Sequence, residues 1–208
     1  MHPLIPRLRA ARIIPVVRTS TAARAATAVA WLQEAGFRVF EITMTVPEAP
    51  ALIRALSADP DLLVGAGTVP DARTAEACIE AGARFLVAPW VDPALAPVAQ
   101  DGGACLMLGA MTPSEIRAAL AAGADMVKIF PAGSAGGPQH IRALRAVFPD
   151  VAFCPTGGVD ARNAPDYLAA GAACVGMGGR LVDEALIAAG DRAAVRRAAE
   201  DALGIMRA

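Results

Sequence analysis

The sequence predicts an α/β fold, a compact (β/α)8 TIM barrel in which residues 1–208 form a single domain. Three observations carry this. Eight short apolar runs alternate with alanine-rich, helix-forming stretches. After a first run at residue 12, the run starts fall at about 39, 62, 85, 105, 126, 152 and 174, and these seven are spaced by roughly 20–26 residues, which fits one βα unit. One phrase also recurs at the helix-to-strand joints: Ala35-Gly36-Phe37, Ala81-Gly82-Ala83, Ala122-Gly123-Ala124 and Ala170-Gly171-Ala172. Glycine there suits a left-handed helix C-cap that a Cβ would strain. A doubly wound sheet shares this alternation, but no glycine fingerprint with a downstream acid marks a dinucleotide crevice.

The elements follow in order. After a short arginine-rich lead, Arg12–Arg18 is a first buried strand, and Thr19-Ser20-Thr21 offers capping hydroxyls for a helix ending at Gly36. The second strand is Val39–Met44, with Pro47-Glu48 opening its helix. The third is Leu62–Val69, followed by a helix from Asp71 to Gly82. The fourth is Phe85–Pro89, with a helix over Asp92–Asp101. The fifth is Cys105–Ala110, and Thr112-Pro113-Ser114-Glu115 carries a capping-box pattern. Met126–Pro131, Ala152–Gly158 and Cys174–Gly179 are strands six to eight, and a helix over residues 192–206 ends the pattern.

Composition limits the function classes. The chain is 55% hydrophobic and 4% aromatic, with formal net charge −1 and no basic stripe, which argues against nucleic-acid partners. No apolar run reaches membrane-spanning length, and nothing resembles a secretory signal, so no membrane partner and a cytoplasmic location are expected. Cys78, Cys105, Cys154 and Cys174 read as reduced core thiols. The two histidines, His2 and His140, have no ligand-spaced partners, which disfavours zinc and leaves only an all-oxygen metal site open; no metal is expected.

Of 19 Lys and Arg residues, one alone is lysine: Lys128, inside the apolar run Val127-Lys128-Ile129-Phe130-Pro131. A cation there is costly unless paired, and an amine, unlike a guanidinium, can deprotonate and attack a carbonyl. Glu41, between Phe40 and Ile42, is the matching carboxylate across a barrel, either as a structural ion pair or as general acid/base to an imine-forming lysine. Barrel sites lie at the C-terminal strand ends. Those ends carry Arg18, Gly67-Thr68, Pro89-Trp90, Phe130, Thr156-Gly157-Gly158 and Gly178-Gly179-Arg180. The two glycine pairs, at the starts of the following helices, read either as tight turns or as backbone N–H cradles for phosphate, with Arg180 and Arg18 adding charge.

Taken together, Glu41-Ile42-Thr43, Gly65-Ala66-Gly67-Thr68-Val69, Thr112-Pro113-Ser114-Glu115, Lys128-Ile129-Phe130-Pro131 and Pro155-Thr156-Gly157-Gly158-Val159 resemble the class I KDPG/KHG aldolases. These are the 2-dehydro-3-deoxy-6-phosphogluconate and 4-hydroxy-2-oxoglutarate aldolases, and the resemblance is collinear from about Arg12 to Leu181. It implies a cofactor-free, homotrimeric lyase acting on a phosphorylated 2-oxo sugar acid and releasing pyruvate. Lys128 matches the imine-forming lysine and Glu41 the acid/base. Thr68 matches the holder of the pyruvyl carboxylate, with Arg18, Pro89, Phe130 and Thr156 among the substrate-binding positions. Gly157, Gly158, Gly178 and Gly179 fall on the phosphate loops, where Arg180 replaces a serine. Thr45, Trp90 and Leu108 also depart from part of the family. Gly136-Gly137-Pro138-Gln139 resembles the phosphogalactonate branch. A phosphate-binding barrel isomerase or epimerase, with Glu41 as base, is the alternative from a different enzyme class.

Overall fold

The computed structural model describes residues 2–207. A short helix, α1 (Ile5–Ala11), precedes eight strand–helix steps. These are β1 (Ile13–Val17), α2 (Ala22–Ala35), β2 (Val39–Thr43), α3 (Ala49–Ser57), β3 (Leu63–Gly67), α4 (Ala72–Glu80), β4 (Phe85–Val87) and α5 (Leu95–Asp101). The second half holds β5 (Cys105–Ala110), α6 (Pro113–Ala121), β6 (Met126–Ile129), α7 (Gly137–Val147), β7 (Phe153–Pro155), α8 (Ala164–Ala169), β8 (Val175–Met177), α9 (Glu184–Ala188) and α10 (Arg192–Arg207). All strand pairings are parallel, in the order β7-β6-β5-β4-β3-β2-β1-β8. The seam between β7 and β8 is narrow, made by the Thr156–Gly176 bridge and the Ala173 N–H donating to the Phe153 carbonyl at 2.8 Å. The fold is the (β/α)8 barrel that the sequence predicts.

Every strand residue is buried, because side chains alternate between the barrel interior and the helix layer, leaving neither face wet. The apolar runs are continuous for that reason. The helix layer packs as one large cluster, while Ile14, Val39, Leu63, Phe85, Met107 and Met126 meet inside the barrel. The predicted caps form: Thr21 and Asp71 accept backbone N–H groups at the starts of α2 and α4, and Thr112 with Glu115 makes a reciprocal capping box on α6. Gly36, Gly82, Gly123 and Gly171 all have positive φ, as their repeated joint phrase requires.

Two expectations change. The arginine-rich lead is helical: Ile5 and Leu8 of α1 enter the interior cluster and close the N-terminal end of the barrel. Burying those two side chains stabilises the fold by roughly 3–6 kcal/mol. The predicted strands also overrun at their C-terminal ends. Phe130-Pro131, Gly157-Gly158 and Gly178-Gly179 leave the ladder and become loops at the barrel mouth. Proline has no N–H to give the ladder, and the left-handed Gly157 (φ 88°) and Gly158 (φ 78°) cannot continue a strand.

The four cysteines are buried free thiols. Burial pushes the Cys78 thiol up to about 11, and burial with Asp125 nearby pushes Cys105 up to about 12. No described helix is long and apolar enough to cross a membrane.

Candidate active site

The register sets where the two buried charges stand. Glu41 lies opposite Val16 of β1 and Gly65 of β3, and Lys128 lies opposite Gly109 of β5 and Cys154 of β7. They face each other across the barrel, and the long lysine arm brings Nζ to 3.4 Å from Glu41 Oε1. Lys128 is 4% exposed and Glu41 3%. Taking two charges out of water costs several kcal/mol per ion before their attraction repays it, and removing one partner of such a pair typically costs about 3–5 kcal/mol. The Lys128 amine also stands 5.6 Å from the centroid of the Phe130 ring, within cation–π range.

Gly67 makes room for this pair. A Cβ at that position would meet the Glu41 carboxylate, lying 2.6 Å from Cγ and 2.7 Å from Cδ and closer still to Oε1. A neighbouring backbone can approach the acid there only because the strand ends in glycine.

Above the pair opens a cavity of about 720 Å3, lined by Val16, Arg18, Thr68, Pro89, Lys128 and Phe130 on one side. Thr156, Gly157, Gly158, Val159, Gly178, Gly179, Arg180 and Asp183 complete it. Every site residue predicted from the sequence therefore lines the cavity except Glu41, which lies beneath it against Lys128. Such a volume suits a small, charged metabolite. A larger hollow of about 820 Å3 lies between α2 and α10, but its charges pair with each other, Arg192 with Glu34 and Arg196 with Glu200, and no buried amine opens into it. The smaller cavity is the candidate site.

Local structure fixes several of its walls. Arg18, just beyond β1, donates from Nη2 to Thr68 Oγ1 at 3.1 Å. Thr68 is held at φ 55°, a left-handed conformation that costs a β-branched residue and that surrounding structure must enforce. Thr43 donates its hydroxyl to the Val17 carbonyl (3.1 Å), so the 2.7 Å contact with Thr45 takes its proton from Thr45. Thr45 thus braces the loop after β2. At the other side, the Ala132 and Gly133 N–H groups donate to the Thr156 and Gly157 carbonyls (2.8 and 2.9 Å), tying the loops after β6 and β7 together. A Cβ at Gly157 would press on the Phe130 ring at 3.2 Å, so that glycine also keeps the ring in place.

One expectation needs correcting. The glycine pairs do not open the following helices: α8 begins at Ala164 and α9 at Glu184, each several residues later. An anion at this end would meet loop N–H groups and Arg180, without help from a helix terminus. The Asn163 side chain donates to the Gly158 carbonyl at 2.9 Å and fixes the turn between. Asp183, Val16 and Val159 were not singled out in the sequence. Val16 and Val159 look like core, and Asp183 looks like a helix cap, which it also is: its Oδ1 accepts the N–H groups of Ala185 and Leu186. Trp90, 47% exposed, lies outside the cavity lining.

These features define a class, a parallel (β/α)8 enzyme barrel whose mouth holds a single buried amine beside a single buried carboxylate. The family model for KDPG and KHG aldolase matches residues 4–198. A 2-dehydro-3-deoxy-phosphogluconate aldolase of Pseudomonas aeruginosa is 40% identical over 94% of this chain and 89% of its own. A KHG/KDPG aldolase of Escherichia coli is 34% identical over 92% and 90%. The crystal structure of the KDPG aldolase from Legionella pneumophila, with pyruvate captured as a covalent carbinolamine, superposes with a TM-score of 0.85. It shares 33% identity and covers 94% of this chain and 96% of that one. The chain belongs to the KDPG and KHG aldolase family.

Proposed function

We propose that this protein is a class I aldolase that reversibly cleaves a 2-dehydro-3-deoxy-6-phospho-sugar acid to pyruvate and glyceraldehyde 3-phosphate, and 4-hydroxy-2-oxoglutarate to pyruvate and glyoxylate. The observation that carries this is the Lys128–Glu41 pair, 3.4 Å apart and buried at the base of the cavity, in a member of this family.

The neutral Lys128 amine attacks the C2 ketone and forms a C–N bond, giving a carbinolamine. Glu41, in its acid form, protonates the C2 hydroxyl, which leaves as water, and the nitrogen keeps the positive charge of the imine. The resulting carboxylate takes the proton of the C4 hydroxyl. The C3–C4 bond breaks, its electron pair flows into the iminium, and the aldehyde departs. Proton return to C3 and hydrolysis of the imine release pyruvate and restore the amine. The cationic imine is the electron sink, a charge placed in advance where negative charge develops. The face of the Phe130 ring, 5.6 Å from the Lys128 nitrogen, favours the positive charge of the imine, and Thr68 with Arg18 holds the C1 carboxylate. The loop N–H groups of Gly157, Gly158, Gly178 and Gly179, with Arg180, take the phosphate.

Borohydride in the presence of pyruvate is expected to leave a reduced adduct on Lys128, read by peptide mass spectrometry. Lys128→Arg, which keeps the charge and loses the nucleophile, abolishes both adduct and cleavage. Retained cleavage in that variant sinks the imine mechanism. The family resemblance also supports a homotrimer acting in the cytoplasm; sedimentation equilibrium should return three protomers, and a monomer at micromolar concentration would overturn that part.

A further inference from the structure

The ladder between β1 and β8 runs from Ile13–Val175 to Pro15–Met177 and then stops. Beyond it the two chains continue as separate loops. One carries Arg18 and ends at the Thr21 cap of α2; the other runs from Gly178 to the Asp183 cap of α9. Among the described residues, no backbone hydrogen bond joins these loops. The base of the second loop is seated, with Leu181 and Val182 buried and their N–H groups donating to the Gly178 carbonyl. Its tip is not: a Cβ built on Gly178 or Gly179 would touch nothing within 4 Å. Packing alone does not fix how far this tip stands from Arg18.

A side-chain clasp crosses the gap at this level. Glu184 Oε1 accepts the Ser20 N–H at 2.8 Å, the Ser20 hydroxyl at 2.5 Å and Arg24 Nη1 at 2.9 Å. Arg24 Nη1 also donates to Ser20 Oγ at 2.7 Å. Three donors converge on one carboxylate oxygen. Ser20 is two residues after Arg18, and Glu184 directly follows the cavity-lining Asp183. With side chains 42% and 34% exposed, the Arg24–Glu184 pair is of a kind that contributes little to stability. None of the three residues lines the cavity. What they share is position, bridging the loop with one cavity arginine to the loop with the other.

We propose that Glu184, held by Ser20 and Arg24, is a positioning residue that sets the separation between Arg18 and the Gly178–Arg180 loop, and so the length of substrate the site accepts. The inference rests on the assignment of the phosphate to that loop. A ligand long enough to be gripped at both ends needs the two grips at a fixed spacing, whereas a shorter acid, whose distal carboxylate falls short of the phosphate loop, does not. Loosening the clasp therefore penalises the phosphorylated six-carbon acid more than the short 4-hydroxy-2-oxoglutarate, chiefly through KM.

The test compares wild type, Ser20→Ala, Glu184→Ala and Glu184→Gln by steady-state kinetics on both substrates, with thermal melts as control. Glu184→Ala is expected to lower the ratio of kcat/KM for the phosphorylated to the short substrate about tenfold, the scale of one charge-assisted hydrogen bond. Ser20→Ala lowers it less, and Glu184→Gln, which retains an acceptor oxygen, recovers part of the loss. A fall shared equally by both substrates, or a shift in melting temperature alone, overturns the positioning role. Absence of cleavage in the wild-type protein would instead remove the aldolase reading beneath it, so the two failures are distinguishable.

Discussion

Gly67→Ala is the sharpest perturbation of the centre, because it alters no functional group and moves one. An added Cβ would lie 2.6 Å from Glu41 Cγ. Ordinary van der Waals contact begins near 3.4 Å, so Cγ or the strand end must yield by about 0.8 Å and the carboxylate oxygen, which is closer, by more. β3 is paired on both sides, with Glu41 opposite Gly65 and Gly67 opposite Val87, so the strand is the stiffer partner. The carboxylate gives way, and its 3.4 Å contact with Lys128 opens or tilts. A displacement near 1 Å at a reacting centre can cost about 10²-fold in rate. Overpacking of this kind also destabilises by roughly 1–3 kcal/mol.

The expected result is a kcat about 100-fold below wild type, measured by coupling pyruvate release to lactate dehydrogenase, with a melting temperature lowered by several degrees. Borohydride trapping of pyruvate should slow in parallel, since the same acid serves carbinolamine collapse. Gly204→Ala is the control, because a Cβ there meets nothing within 4 Å. If Gly67→Ala turns over within threefold of wild type while folding normally, the placement of Glu41 is not what Lys128 depends on. The acid/base assignment then fails with it.

Two further outcomes can be checked directly. Thr68→Gly should melt higher than Thr68→Ala by the equivalent of about 1 kcal/mol, because only glycine is at ease at φ 55°. Both should raise KM several-fold through loss of the hydroxyl that accepts from Arg18; equal melting points, or an unchanged KM, would contradict that account. At the capping box, hydrogen bonds from the Met111 N–H, the Thr112 N–H and the Thr112 hydroxyl hold the Glu115 carboxyl below its usual range. The folded protein therefore binds that proton less readily than the unfolded chain, and the stabilisation is present above about pH 5 and lost as pH falls through the lowered value. The melting-point gap between wild type and Glu115→Gln should accordingly narrow from pH 7 to pH 3, and a constant gap would contradict the linkage.

The strands were readable because both of their faces are buried, which turns each into an unbroken apolar run, and because the helix exits repeat the same glycine. Lys128 and Glu41 stood out as charges inside such runs. Other features depended on contacts far apart in sequence. Nothing local distinguishes Gly67 from a turn glycine; its meaning comes from Glu41 on the next strand. Ser20 and Glu184 are 164 positions apart and each passes for a helix-start residue. The lead helix α1 did leave a trace, in Ile5 and Leu8 three residues apart with a proline in the first turn, but three nearby arginines and a proline-interrupted start hid it. The strand ends were overrun because Phe130-Pro131 continues the apolar composition after the ladder has stopped, and because composition does not report the positive φ of Gly157 and Gly158.

The helix that stops the lower end of the barrel also governs traffic. Ile5 and Leu8 fill the floor of the barrel, and the cavity lies at the loops of the opposite end. Both fragments of a cleaved ligand must leave the way the whole one came in. In the proposed mechanism one fragment is still tied by a covalent bond to Lys128 when the other is already free. The aldehyde is therefore first out, and in the synthetic direction pyruvate must be first in. The covalent bond sets the order, and a plug of seven residues on the face of the barrel opposite the chemistry keeps all the traffic at one end.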